Sequence, residues 1–580
     1  MRRYPTRLAI VLAVLLAIAA CSPVEDPDTA AEGEPDADEA AGEGPDTDDA
    51  DTDDAETDDA DTDDAEPDGD EEVPVEEGAS AGESDLYGPP PEDPQEGGTV
   101  TVGALNEPPS LDPFHEGADA RSEYSVLMYQ GLMYESSHGV PVPLLAEDVE
   151  ISDDELTYTF ELREGVEFHD GSPMTSADVQ YSYDYIRDPD NGSPGAQDFA
   201  AIDTIEAPDE HTVVMELSEP NSALLMTLTN KFGAVVPEDY FDSETAEQDF
   251  NTASVGTGPY QLEDFSPNES ISLSRHEGYW GDGPYIDELV FEFIPDASAM
   301  VVALENARID LGELPQITDI EQLEGTPGLE VATFPSLNQK AIDLVANVEP
   351  LDEEPVRQAI AAALDKEEVA QAAAPELHQE IGMIVGGMQE TWGLPLDEVP
   401  YQGQDLETAE ELLAEAGYED GFEIDLRTIQ DFDWMDAAAV VITQQLAEVG
   451  IDVSTETVDL GTWIDAWNNQ AAGFTLNDWG TQPDPSLLYF RHFSQEPQGA
   501  DFRLWDHDEA SQLLADGIAT SDQEERVEIY HEFQSVMAES APTIPLYSPQ
   551  AAIATHDRLA NYVHHPSGWY FGLATAYVDE

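Results

Sequence analysis

The sequence predicts an α/β fold beginning near residue 97, on three observations. Strand-like runs alternate with stretches of helical periodicity, glycines stand where several helices should end, and 580 residues can bury more than one core. Thr99–Ala104 alternates branched and small residues as a strand, and Asn106-Glu107-Pro108-Pro109-Ser110 turns away from it. Further strands are expected at Thr157–Leu162, Thr212–Leu217, Ser270–Arg275 and Glu288–Ile294. Helical periodicity marks Ser176–Arg187, Ala297–Glu305, Glu354–Gln371, Leu406–Ala416, Asp436–Val449 and Gln523–Glu539. Gly417 and Gly450 occupy positions where left-handed C-caps belong.

The charge balance is far from ordinary: 129 Asp+Glu against 17 Lys+Arg, a formal net charge of -112. Only Lys231, Lys340 and Lys366 are lysines. A polyanion would be repelled, and no basic stripe exists to release counterions, so nucleic-acid binding is excluded. Residues 22–98 hold 33 acids and no Lys or Arg, which leaves 96 acids and 14 basic residues downstream, a net of about −82. Such a surface repels itself at ordinary ionic strength, whereas ~1 M salt shortens the Debye length to ~3 Å. A salt-adapted folded domain is the expectation.

Arg2, Arg3 and Arg7 precede an apolar run from Leu8 to Ala20, and Cys21 follows. A basic start, a short apolar stretch and small residues before a cut site form a secretory signal. The run is too short for the ~20 residues of a spanning helix. Ile18-Ala19-Ala20-Cys21 looks like a bacterial lipobox, with Cys21 as the lipidated first residue of the mature chain; the plainer alternative is a cleaved signal with a chance cysteine. Cys21 is the only cysteine, which excludes disulfides within one chain and a thiol catalyst in the folded part. Residues 22–96 are expected to be a disordered acidic tether, and Asp46–Ala65 repeats [Asp/Glu]-Thr-Asp-Asp-Ala four times. Gly78-Ala79-Ser80-Ala81-Gly82 matches a nucleophile elbow in letters only, because neither a strand nor a helix flanks it.

One block carries a resemblance. Pro143-Leu144-Leu145-Ala146-Glu147 is followed by Tyr158-Thr159-Phe160-Glu161-Leu162-Arg163-Glu164-Gly165-Val166-Glu167-Phe168-His169-Asp170-Gly171 and Met174-Thr175-Ser176-Ala177-Asp178-Val179. This resembles the signature of family 5 extracellular solute-binding proteins, the oligopeptide-, dipeptide- and nickel-binding components of ABC importers. Gly256-Thr257-Gly258-Pro259-Tyr260, Val356-Arg357-Gln358-Ala359-Ile360, Leu364-Asp365-Lys366 and Ala541-Pro542-Thr543-Ile544-Pro545 follow in the family's order. The physics of the signature is structural: Phe160, Leu162, Val166 and Phe168 alternate as a half-buried strand, and Thr175 to Asp178 start a helix. The resemblance implies a two-lobed periplasmic-binding-protein fold with an extra subdomain in lobe one and the ligand enclosed between lobes. Lobe one is expected at 97–340, lobe two at 341–545, and a return to lobe one at 546–580. It further implies a monomer without cofactor, held by its lipid anchor at the extracytoplasmic face of the cell membrane, working with ABC permease subunits.

Three segments are candidates for the cleft. Asn106, Glu107 and Pro109 end the first strand, an edge where an extended ligand backbone pairs in the peptide-binding relatives. Met388 and Trp392 lie in a Gly-hinged loop. Asn477, Trp479, Gln482 and Asp484 lie in a segment similar to the family's Trp-x-x-Asp-x-x-Asp-Pro. In peptide-binding relatives the first acid of that segment holds the ligand's α-ammonium group; here Gln482 takes its place and the segment is one residue shorter. A neutral amide lacks charge assistance, so blocked peptides, oligosaccharides and other neutral solutes stand beside free-amine peptides. Asp484 has an alternative as a turn cap before Pro485. The tryptophans (Trp392, Trp463, Trp467, Trp479, Trp569) suit stacking on a ligand and equally suit a core. No catalytic residue or metal ligand is assigned; a secreted hydrolase is the rival class.

Overall fold

The computed structural model describes residue 91 and residues 94–579, apart from 109, 116–123, 137–138, 153, 239, 242–253, 315–316, 347, 431, 469–470, 472, 481–482, 494–504, 566 and 569. Cys21, the acidic repeat, Gly78–Gly82, Pro109, Gln482 and Trp569 lie outside the described residues.

One 12-stranded sheet runs through the folded part. From one edge its order is Ile451–Val458, Phe422–Ile429, Phe474–Gly480, Asn338–Leu344, Thr543–His556, Leu311–Glu313, Thr99–Ala104, Glu288–Phe293, Ser270–Arg275 and Tyr260–Ser266. The strand Thr543–His556 is shared. Its first part pairs antiparallel with Asn338–Leu344, and Gln550 to His556 pair with Leu329–Pro335. The chain therefore crosses between the two halves of the sheet twice, side by side, near Ser336 and Ser548. The Ser336 hydroxyl donates to the Pro549 carbonyl at 2.7 Å, and the Ser548 hydroxyl to the Asn338 carbonyl at 2.5 Å.

Each half has its own core. Val100, Phe291, Leu573 and Val578 share one, so the end of the chain packs with its first strand. Ile342, Ile360, Leu426, Ile442 and Ile544 form another. A separate four-stranded sheet, ordered Ala146–Ile151, Thr157–Leu162, Thr212–Leu217 and Ile202–Asp209, lies in the chain between Thr99–Ala104 and Tyr260–Ser266. The helix Ser176–Arg187 packs on it, started by Thr175, whose amide donates to the Asp178 carboxylate at 2.7 Å.

The expected strands all form, and Gly417 and Gly450 take φ of 82° and 88°, as a left-handed C-cap requires. One expected helix is corrected. Glu354–Gln371 is not continuous but two helices, Glu354–Ala362 and Lys366–Ala373, because Asp365 turns its carboxylate back to accept the Glu368 amide at 3.0 Å. The signature block also meets a distant one: His169 Nε2 lies 3.1 Å from the Gly258 carbonyl, and the Gly256 amide donates to His169 Nδ1 at 3.2 Å. A Cβ on Gly256 or Gly258 would sit 2.2 Å from the Met128 carbonyl oxygen or 2.3 Å from that of Leu127, so only glycine fits.

Candidate functional site

Asn477 to Gly480 end the strand Phe474–Gly480, and Pro483 lies against the other half of the protein. A Cβ on Gly139 would stand 2.9 Å from the Pro483 side chain, so Gly139 and Pro483 abut. Gly139 sits in the hairpin between Met133–Glu135 and Pro141–Pro143, which belongs with the first core, whereas Pro483 follows the second half's strand. The segment selected from sequence thus faces across the lobes.

Its side chains have local partners. Asn477 Nδ2 donates to Asp343 Oδ2 at 2.8 Å, and Lys340 reaches Asp478 at 2.5 Å. Trp479 is 3% exposed and stacks on Phe493, centroids 5.8 Å apart and planes 9° apart. Asp484 is buried. Its Oδ1 accepts the Ser486 amide at 2.8 Å, capping the helix Pro485–Phe493, and both oxygens bind Arg526 Nη2, at 2.8 and 3.0 Å. The turn-capping reading of Asp484 is realised, and an ion pair is added to it.

Met388 and Trp392 join Trp479, Tyr489 and Phe533 in a third buried cluster. The Arg526 guanidinium lies 5.0 Å over the Trp392 ring, and the Trp392 carbonyl accepts Gln534 Nε2 at 2.7 Å. The loop's backbone is tied to the crossing, since the Gly387 amide donates to the Ser336 carbonyl at 3.0 Å. Trp463 is likewise buried, with its Nε1 on the Thr475 hydroxyl at 2.9 Å and its ring stacked on Trp467. By contrast, Asn106 and Glu107 are exposed. The Asn106 carbonyl accepts the Tyr124 hydroxyl at 2.8 Å, and Glu107 Oε2 accepts the Asn268 amide at 3.0 Å.

The sequence reading missed Arg526. Arg526 donates to Asp484, Ser486 and the Gly517 carbonyl, and so fixes the end of the candidate segment. The available signal was scarcity: with 14 basic residues after position 98, an arginine inside a helix is conspicuous. Among the described residues no group of three or more His, Cys, Asp or Glu is placed to hold a metal ion, and no helix is long and apolar enough to cross a membrane.

Two sheet halves joined by paired crossing strands, with Pro483 of one half against Gly139 of the other, define a two-lobed binding-protein fold. Solved structures agree: the ABC transporter substrate binding protein CtaP from Listeria monocytogenes superposes with a TM-score of 0.76 at 25% identity, over 84% of this chain and 100% of that one. Residues 140–501 match the family model described as bacterial extracellular solute-binding proteins, family 5 Middle. The chain belongs to that family, the solute-binding proteins of ABC importers. It is 26% identical over 499 residues to the oligopeptide-binding protein AppA of Bacillus subtilis (strain 168), covering 82% of this chain and 90% of that one. It is 29% identical over 458 residues to the dipeptide-binding protein of Escherichia coli (strain K12), covering 74% and 84%.

Proposed function

We propose that the protein captures peptides or peptide-like solutes between its lobes, closes on them, and hands them to permease subunits without changing them chemically. The paired crossing at Ser336 and Ser548 carries this reading: two short connections lying side by side let lobes rotate as bodies about a common line. Ligand contacts with both lobes then favour the closed form. The names of the two relatives, oligopeptide- and dipeptide-binding, support the cargo class. Lobe one comprises 97–340 and 546–580, lobe two 341–545. The protein acts as a monomer outside the cell membrane, anchored through lipid on Cys21 and spaced from the membrane by residues 22–96.

A second cargo reading, neutral solutes such as blocked peptides or oligosaccharides, is favoured by Gln482 at the position of an ammonium-holding acid. Thermal unfolding against free-amine peptides, N-acetylated peptides and oligosaccharides separates the two. A cargo at 100 times its Kd adds about 2.7 kcal/mol of stability, and mass spectrometry should recover it unchanged. Conversion of the solute, or no shift with any of the three sets, would sink the proposal.

The acid excess gives a further expectation. Stability should rise steadily from low salt to molar NaCl as screening relieves repulsion among the 96 acids. A flat or falling unfolding midpoint over that range would remove salt adaptation from the account.

A further inference from the structure

The crossing strands are not the only place where the lobes meet. Asn221 and Ser222, just past the strand Thr212–Leu217 of the four-stranded sheet, lie against the turn between the helices Asp508–Ile518 and Gln523–Ser540. The Ser222 amide donates to the Ile518 carbonyl at 2.8 Å, and its hydroxyl donates to the Gly517 carbonyl at 3.2 Å. From the same turn, the Ser521 hydroxyl donates to Glu155 Oε1 at 2.8 Å. Glu155 lies between the strands Ala146–Ile151 and Thr157–Leu162, and Tyr158 of the second strand donates its hydroxyl to the Asn221 carbonyl at 3.4 Å. Every group on one side belongs to the four-stranded sheet and its loops, which we take as the inserted subdomain, and every group on the other to a helical pair of lobe two.

The Gly517 carbonyl has a second donor, Arg526 Nε at 3.2 Å, and Arg526 is the residue that holds Asp484. One guanidinium therefore connects the seam to the end of the candidate ligand segment. We infer that the inserted subdomain is a clasp: Ser222 and Glu155 grip the Gly517–Ser521 turn when the lobes are together, and Arg526 is the positioning residue that links the grip to the ligand segment. This rests on the lobe-closure reading above.

The chemistry suits a chain with so many acids. The clasp uses carbonyls, hydroxyls and one hydroxyl–carboxylate contact, and molar salt does not screen hydrogen bonds between neutral groups as it screens ion pairs. It is also reversible by construction. Glu155 is held at φ 56°, a left-handed conformation that is strained for a non-glycine residue. Its other carboxylate oxygen, Oε2, is buried without a hydrogen-bond partner, a cost carried while the grip holds.

The test uses the mature chain with Cys21 lipidated or replaced by serine, so that an introduced pair of cysteines is the only pair of thiols. Ser222→Cys with Ile518→Cys should oxidise to an intramolecular disulfide. Ser222→Cys with Val440→Cys, whose partner is exposed on another helix of lobe two, should not. A pool of di- to pentapeptides should accelerate the first reaction, and the oxidised protein should match the smaller scattering dimensions of the peptide-saturated reduced protein. Ser521→Ala should speed peptide release roughly 2- to 10-fold, the worth of one hydrogen bond, and leave unfolding of the ligand-free chain unchanged. If peptide shrinks the protein but the 222/518 pair oxidises no faster than the control, the clasp is wrong and closure stands. If the pair oxidises at one rate with and without the pool and the dimensions never change, both are overturned.

Discussion

Replacing Arg526 with methionine is expected to lower the stability of the folded chain by about 3–5 kcal/mol, the cost of breaking a buried ion pair from one side. Arg526 and Asp484 are both buried, at 6% and 4% exposure, so neither charge can turn to water when the other is removed. Asp484 would keep only the Ser486 amide, and the rings of Trp392 and Tyr530 would lose a cation 5.0 and 5.7 Å above them. Denaturant unfolding of Arg526→Met, Asp484→Asn and the double variant measures this. The double variant should cost clearly less than the sum of the singles, because removing both charges leaves none buried alone. Arg427 and Glu456, 2.9 Å apart with Glu456 half exposed, provide the contrast: Arg427→Met there should cost under ~1 kcal/mol. Equal losses at the two sites would show that the Arg526 pair is not isolated from solvent.

The second large effect is expected from pH. Glu135 is buried at the base of the hairpin that carries Gly139, and burial pushes its carboxyl up to about 8, with the Ser567 hydroxyl bonded to it pulling modestly the other way. Its backbone carbonyl accepts His565 Nε2 at 3.0 Å, and His565 Nδ1 accepts the Ser567 amide, so the imidazole beside it is neutral. A carboxyl raised above its ordinary 4.5 holds its proton in the folded state while the unfolded chain has released it. Its contribution is therefore complete below about pH 4.5 and is lost as pH rises toward 8, at up to ~1.4 kcal/mol per pH unit. The histidines act with opposite sign. Burial lowers His565 to about 4 and His564 to about 3 from 6.5, so their contribution is present above pH 6.5 and lost as pH falls below it. Glu135→Gln should leave the histidines' acid-side loss untouched and remove the loss that builds up between about pH 4.5 and 8. Melting temperatures of the two proteins taken from pH 5 to 9 should separate progressively up to about pH 8 and run parallel above it; curves parallel throughout would mean that Glu135 does not govern that loss.

Much of the fold was legible because alternation and helical period report burial directly. Tyr158, Phe160 and Leu162 face a core as their spacing predicts, and Thr175 starts its helix through Asp178. The break at Asp365 was not, since a capping aspartate inside an alanine-rich run leaves the period of apolar residues unchanged. For the candidate site, the sequence offers motif positions and no contacts. The segment through Pro483 does face the other lobe, but motif position says nothing about where a side chain points. Met388, Trp392 and Trp479 turn into their own lobe. Arg526 acts through the chain-distant carboxylate of Asp484, and Ser222 through the chain-distant carbonyls of Gly517 and Ile518, for which no local pattern exists.

The shared strand Thr543–His556 also sets how the molecule comes together. Both halves of the sheet need it, one through Asn338–Leu344 and the other through Leu329–Pro335 and Leu311–Glu313. Neither half can complete its hydrogen-bonded ladder until this late segment arrives, so assembly waits on contacts that span hundreds of residues and is intrinsically slow. What joins the two halves in the finished protein is, during folding, the last rivet: the halves are made, and would be unmade, together.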